Sequence, residues 1–174
     1  EPPPLALALG APLTGDWSRE GRQIARGAEM AVDELNRSGG VLRREVRLNI
    51  GDTNGDPRVA SALARRWSDD PTIVAQIGGF SLAPTLAAQR VFHAAGLVHL
   101  SPAVGHPDFA TASPWSFSLV GLHEGEGASS ARFAFDPLGA RKAAIIHRDG
   151  PWAQRLASEF AREFGELGGA VVAQ

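Results

Sequence analysis

Short apolar runs alternate with longer segments of three- and four-residue apolar spacing along most of the chain. Residues 5–9 form an uninterrupted apolar run the length of a buried strand. A loop rich in Pro, Thr, Gly and Trp follows. Beyond it, Ile24, Ala28, Ala31, Val32 and Leu35 recur at helical spacing, which predicts a long helix with those residues inward. Gly39 and Gly40 come just after the last periodic residue, where a left-handed cap ends a helix. Residues 45–50 alternate charged side chains with Val46, Leu48 and Ile50, the pattern of a strand at a sheet edge. Asp56 followed by Pro57 reads as an N-cap and first helical residue. The helix it opens runs to about Trp67, with Val59, Leu63 and Trp67 on one stripe. Residues 73–77 predict a third strand. Residues 84–95 predict a helix with Ala88, Val91, Phe92 and Ala95 inward, stopped by Gly96. Residues 97–100 and 115–119 predict two further strands.

Strand and helix alternate throughout, which argues for an α/β fold: a parallel sheet covered on both faces by helices, in three layers. A second alternation begins after Gly121 and Leu122. It comprises a helix over about 124–135, a strand over 143–147, a helix over 151–167 carrying Leu156, Phe160 and Phe164, and a strand from Ala170. The expected organisation is a first α/β lobe over 1–120 and the incomplete start of a second over 121–174. Two strands and two helices are too few for an independent sheet.

Composition narrows the function. The chain is 44% apolar and 21% charged, enough for a real core, and its net charge of −2 offers no general attraction to nucleic acid or anionic membrane. No apolar run approaches the roughly 20 residues that span a bilayer. Cysteine is absent, which excludes disulfides and thiolate metal sites. A glycine loop before a helix can hold a nucleotide, but neither G-x-G-x-x-G nor a P-loop occurs. G-x-S-x-G and H-E-x-x-H are also missing, and the five histidines are not spaced for a metal. An enzyme is therefore not expected, and no cofactor is.

Ligands of open parallel sheets bind beyond the carboxyl ends of the strands. That rule selects the loops at 11–21, 52–57, 78–84, 101–107 and 148–152, with the crossover at 121–126. Trp17, Phe80 and Trp152 lie there and can form apolar walls. Ser81 suits a turn or helix cap as well as a ligand contact. His106 and His123 flank the expected site, each more readily a loop residue than a base. Capping and turn formation account for Asp52 and Asp56.

The wording of several segments resembles the type I periplasmic binding proteins of the leucine/isoleucine/valine-binding kind. The matching letters are Gly10, Thr14 and Gly15, then Gly27-Ala28-Glu29, Ala31-Val32, Leu35-Asn36 and Gly39-Gly40. Asp52, Asp56 and Pro57 match D-x-x-x-D-P, residues 77–79 match I-G-G, and 95–103 match A-G-L-x-x-L-S-P-A. Gly121-Leu122 with Gly127, and A-A-I-I-H at 143–147, complete the series. The resemblance covers residues 4–174 and about half a family member, so it implies the N-terminal half of a two-lobed binder. It implies a small-molecule ligand (an amino acid, an amide or a small organic acid), a membrane permease of an ABC importer as partner, and a periplasmic or other extracytoplasmic location. A ligand-sensing receptor domain of the same fold is the alternative. Binding positions carried over are Leu82, where amino-acid binders have serine, with Ser81 before it; Ser101, Ala103, Val104 and Gly105, where the last has lost a threonine hydroxyl; and Trp152 as the covering aromatic. His123 in the crossover is a candidate clamp. Losing two hydroxyls removes two hydrogen bonds to a charged head group, each worth about 1.5–3 kcal/mol. That points away from an ordinary α-amino acid held in the usual way. Exposed sheet edges are expected to favour a homodimer of this chain.

Overall fold

A computed structural model describes residues 3–121 and 125–174. The chain divides into two compact units, Glu1–Gly121 and Leu122–Gln174.

The first unit runs β1 (Leu5–Ala11), α1 (Ser18–Arg37), β2 (Val46–Asp52), α2 (Pro57–Ser68), β3 (Ile73–Gly78), α3 (Leu82–Ala95), β4 (Val98–Ser101), α4 (Pro107–Ala110) and β5 (Ser116–Ser118). Its five strands form one sheet in the order β2-β1-β3-β4-β5, every pairing parallel. The charged–apolar alternation of β2 is explained by its place at the sheet edge. β1 lies inside the sheet and is apolar on both faces. Ala8 packs with Ala60, Ala64, Trp67, Ala88 and Phe92 of α2 and α3. Leu9 and Ala11 turn the other way, to Ala25 of α1. Helices thus cover both faces of a parallel sheet, the α/β layering that the alternation predicts.

Helix ends follow the sequence closely. The Asp56 carboxylate accepts from the Arg58 and Val59 amides at 2.6 and 3.3 Å, with Pro57 at the first helical position. Gly96 ends α3 in the left-handed region at φ 66°.

The inward faces of the helices differ from expectation. In α1 the buried residues are Gly21, Ala25 and Val32, while Ala31 and Leu35 face solvent. In α2 they are Ala60, Ala64 and Trp67, and Val59 is 38% exposed. In α3 Ala88 and Phe92 are buried but Ala95 is exposed. In α2 small residues let the helix approach the sheet and α3 closely, so Ala60 and Ala64 are buried where the larger Val59 and Leu63 beside them are not. Periodicity does not predict the short α4. His106 caps it, its Nδ1 accepting from the Asp108 amide at 3.2 Å, and Phe109 is fully buried beneath it.

The second unit contains α5 (Glu126–Phe135), β6 (Lys142–Ala144), α6 (Pro151–Glu166) and β7 (Ala170–Ala173), with β6 and β7 paired in parallel. Its buried residues include Ala128, Ala131, Ala153, Ala157 and Phe164. Arg132 bonds Glu163 at 2.6 Å and Arg155 bonds Glu159 at 3.1 Å, tying α5 to α6 and bracing α6 along its length.

Candidate functional site

At the carboxyl end of the first unit's sheet, three loops meet. Trp17 precedes α1, and Phe80 lies between β3 and α3. Their rings are 5.2 Å apart with planes tilted by 50°, so the two aromatic residues form one apolar corner. Ser81 is the N-cap residue of α3 but its side chain makes no capping bond, and Leu82 is the first helical residue. The hydroxyl at Ser81 therefore lies beside the exposed first turn of a helix, a position suited to an anion.

The β4 loop is differently engaged. Ser101 is fully buried; its hydroxyl donates to the Gly79 carbonyl at 3.3 Å and accepts from the Val104 and Ala103 amides at 3.0 and 3.4 Å. Val104 and Gly105 are buried as well. Ser101 thus links the β4 loop to the β3 loop that carries Phe80 and Ser81. Trp152 is in the second unit, near the start of α6 and 48% exposed, on an open concavity of about 1,010 Å³ shared with Glu126, Ser129, Ile146 and His147. The candidate His123 lies outside the described residues.

Periodicity gives no sign of two features that shape this end of the sheet. The first is a clip on Asp52, beyond the turn-forming role expected for it. One carboxylate oxygen accepts from the amides of Leu13, Thr14 and Asn54 at 2.8, 3.3 and 2.8 Å, and the other from the Thr14 hydroxyl at 2.6 Å. Partial burial pushes its pKa up. The Thr14 hydroxyl and the three amides outweigh that and hold it below the ordinary aspartate value. The clip joins the loops after β1 and β2 and so sets where the Trp17 segment starts. Asp52→Ala should lower stability by about 1–2 kcal/mol, because charge-assisted bonds are lost but the site is partly solvated. It should also speed hydrogen exchange at Leu13 and Thr14; unchanged exchange there would mean the loop is held by other contacts.

The second is His99. The sequence pattern places it in the strand predicted over 97–100. It sits within β4, paired with Gln76 of β3, and is 1% exposed. Its ring makes edge contacts with Phe92 at 5.1 Å and Phe109 at 4.9 Å. Burial among these rings pushes its pKa down from 6.5 to about 4, only partly offset by a hydrogen bond with the Gly78 backbone. The folded chain therefore keeps His99 neutral while the unfolded chain takes up a proton below pH 6.5. This contribution is intact above pH 6.5 and is lost as the pH falls toward 4, on the order of 3 kcal/mol in all. Urea unfolding at pH 7 and pH 4.5 should show that loss, and His99→Phe should flatten it. Equal pH slopes in the two proteins would refute the assignment.

Among the described residues, no group of three or more His, Cys, Asp or Glu side chains is placed to hold a metal ion, and no helix is long and apolar enough to cross a membrane. The arrangement is a set of loops with aromatic rings, hydroxyls and a helix start, suited to holding a small solute.

Comparison with known proteins decides the family. The sequence profile described as periplasmic binding protein matches residues 4–174. The chain belongs to the periplasmic binding protein family. That family is a solute-binding and receptor fold, not a family of enzymes. The chain is 31% identical over 163 residues to Leu/Ile/Val-binding protein homolog 1 of Brucella abortus, covering 93% of this chain and 44% of that protein. The chain thus spans less than half the length of this curated relative. A leucine binding protein from Thermotoga maritima superposes with a TM-score of 0.84 at 26% identity, covering 98% of this chain and 48% of the other. A solute binding protein of an ABC transporter from Rhodopseudomonas palustris, in complex with 3,4-dihydroxy benzoic acid, has a TM-score of 0.87 at 18% identity, with 97% and 46% covered. The last likeness is one of fold.

Proposed function

We propose that this periplasmic binding protein chain supplies one part of the binding surface of an extracytoplasmic solute receptor that serves an ABC importer. The ligand is a small polar molecule: an amino acid, an amide or a related small organic acid. The observation that carries the reading is the Trp17–Phe80 corner beside Ser81 at the carboxyl end of the parallel sheet. The names of the relatives support the same role. The family resemblance adds Trp152 and His123 as further candidate ligand contacts. The ligand would lie between two lobes, and closure about the crossover would present the closed form to a membrane permease.

The fold leaves the ligand class open, since one neighbour is a leucine binding protein and another holds a dihydroxybenzoate. Leu82 and Gly105 carry no hydroxyl, which favours an acid or amide without the amino-acid head group. The test is calorimetry on the full-length gene product with leucine, isoleucine and valine, a short-chain amide, and benzoate-type acids. Saturable binding of one class, weakened at least tenfold by Trp17→Ala and by Trp152→Ala, is expected. No binding by any class, or binding indifferent to both tryptophans, would sink the reading. A sensing role is the alternative: pull-down of a permease by the closed form supports transport, and pull-down of a kinase or regulator supports sensing. Pairing of sheet edges between two copies is part of the proposal, and light scattering showing only monomer at high concentration would remove it.

A further inference from the structure

Among the described residues of the first unit, three buried side-chain atoms lack a hydrogen-bond partner, Ser68 Oγ, Gln76 Oε1 and His99 Nδ1, and the last two belong to neighbouring residues. Gln76 is 2% exposed and His99 1%. The two residues are directly paired across β3 and β4, so their side chains project from the same face of the sheet. Both line one small, partly open cavity of about 20 Å³ beneath the β3–α3 loop, together with Thr85, Gly79 and Phe80.

The chemistry of the two atoms is the same. The Gln76 amide nitrogen is already committed, donating to the Ile77 carbonyl at 2.7 Å. That leaves its oxygen as an acceptor facing the cavity. The His99 ring is engaged with the Gly78 backbone, which takes its one ring proton and leaves Nδ1 as a bare lone pair. Two acceptors side by side cannot satisfy each other, and a buried acceptor left unmet is destabilising. What satisfies both is a small neutral molecule with two protons to give. A water needs about 10–15 Å³ of free space, so this cavity has room for a single molecule.

We infer that this cavity is a one-water site, in which a water donates to Gln76 Oε1 and to His99 Nδ1 and so braces the strand pair that carries the Gly78–Ser81 loop. The site lies directly under the Phe80 and Ser81 corner. It makes Gln76 and His99 positioning residues for that loop whatever solute the chain holds, so the inference stands apart from the choice of ligand. It also explains two polar residues in otherwise apolar strands, which packing alone would replace with aliphatic side chains.

A high-resolution crystal structure of the chain, with ¹⁵N spectra of histidine-labelled protein, tests it. The expected result is one density peak within about 2.7–3.2 Å of both atoms. The spectra should show a neutral ring whose Nδ1 resonance is displaced from that of a free ring nitrogen toward a hydrogen-bonded acceptor. Gln76→Met should weaken or abolish the peak and return Nδ1 toward the free position. Two results would overturn it. One is a coupling across a direct hydrogen bond from Gln76 Nε2 to His99 Nδ1, showing that the amide has turned to serve the ring itself. The other is a wild-type cavity without density and a free Nδ1 resonance.

Discussion

Gly78→Ala should destabilise the first unit by about 3 kcal/mol or more, one of the largest effects expected of any single methyl group in this chain. Gly78 ends β3 at φ 138°, a region L side chains rarely adopt. A Cβ there would overlap the carbonyl oxygen of Gly10 on the adjacent strand and come within 3.0 Å of the Gln76 amide nitrogen. Neither neighbour is free to yield. The Gly10 carbonyl accepts from the Gly79 amide at 2.9 Å, and the Gln76 amide is held by the Ile77 carbonyl. Relief requires β1 and β3 to part at their carboxyl ends, where Trp17 and Phe80 meet. Gly27→Ala is the matched control. Gly27 lies inside α1, where an added methyl would meet no atom within 4 Å beyond its own helix turn, so alanine should stabilise by about 0.5–1 kcal/mol through helix propensity. Urea unfolding followed by tryptophan fluorescence reads both, since Trp17, Trp67 and Trp115 belong to the first unit. A Gly78→Ala midpoint within error of the parent would show that the strands can separate there at little cost.

The contrast between these glycines bears on what the sequence reveals. The covered parallel sheet is legible because its inner strands must be apolar on both faces, and β1 is. Caps are legible because the partner is local: Asp56 needs only the next three residues, and Gly96 only its own backbone freedom. Faces of helices are less so. Ala60 and Ala64 are buried in place of Val59 because contact distance between α2, α3 and the sheet sets the choice, and that distance is a tertiary quantity. The Trp17–Phe80 contact joins residues far apart in the chain. The alternation assigns both to strand-end loops, but their 5.2 Å approach depends on β1 and β3 being neighbours. Gln76 and His99 are visible as polar letters within apolar runs. Their pairing follows only once β3 is placed beside β4. Asp52 reads as a turn former because its nearest partner, Asn54, is local, while Leu13 and Thr14 come from a loop nearly forty residues away. Local physics is readable in each case, and the long-range half of the same residue's role is not.

Phe164→Ala should unfold the second unit while leaving the first intact. Phe164 is fully buried. It stacks on Phe160 with centroids 5.3 Å apart and planes 19° from parallel, and meets Phe135 edge-on at 6.0 Å. Gly169 lies so close that a Cβ would overlap the ring. The other buried hydrophobic residues described in this unit are alanines: Ala128, Ala131, Ala153 and Ala157. Among the described residues, Phe164 is therefore the one large buried side chain around which α5, α6 and the β6–β7 pair close. Removing a buried Phe side chain costs about 3–5 kcal/mol, and a core this small supplies little more than that in total. Phe133→Ala is the contrast. Phe133 lies on the same α5 but is 58% exposed, so its loss should change stability by no more than about 0.5 kcal/mol. Hydrogen exchange read by mass spectrometry separates the units. In Phe164→Ala, peptides from α5 and α6 should lose protection while those from β1 and β3 keep theirs. Retained protection in α5 and α6 would mean the alanine-lined contacts and the Arg132–Glu163 pair hold the unit without its aromatic centre. Loss in both units together would mean that their folding is coupled, and the stability of the binding loops would then depend on Phe164 as much as on Gly78.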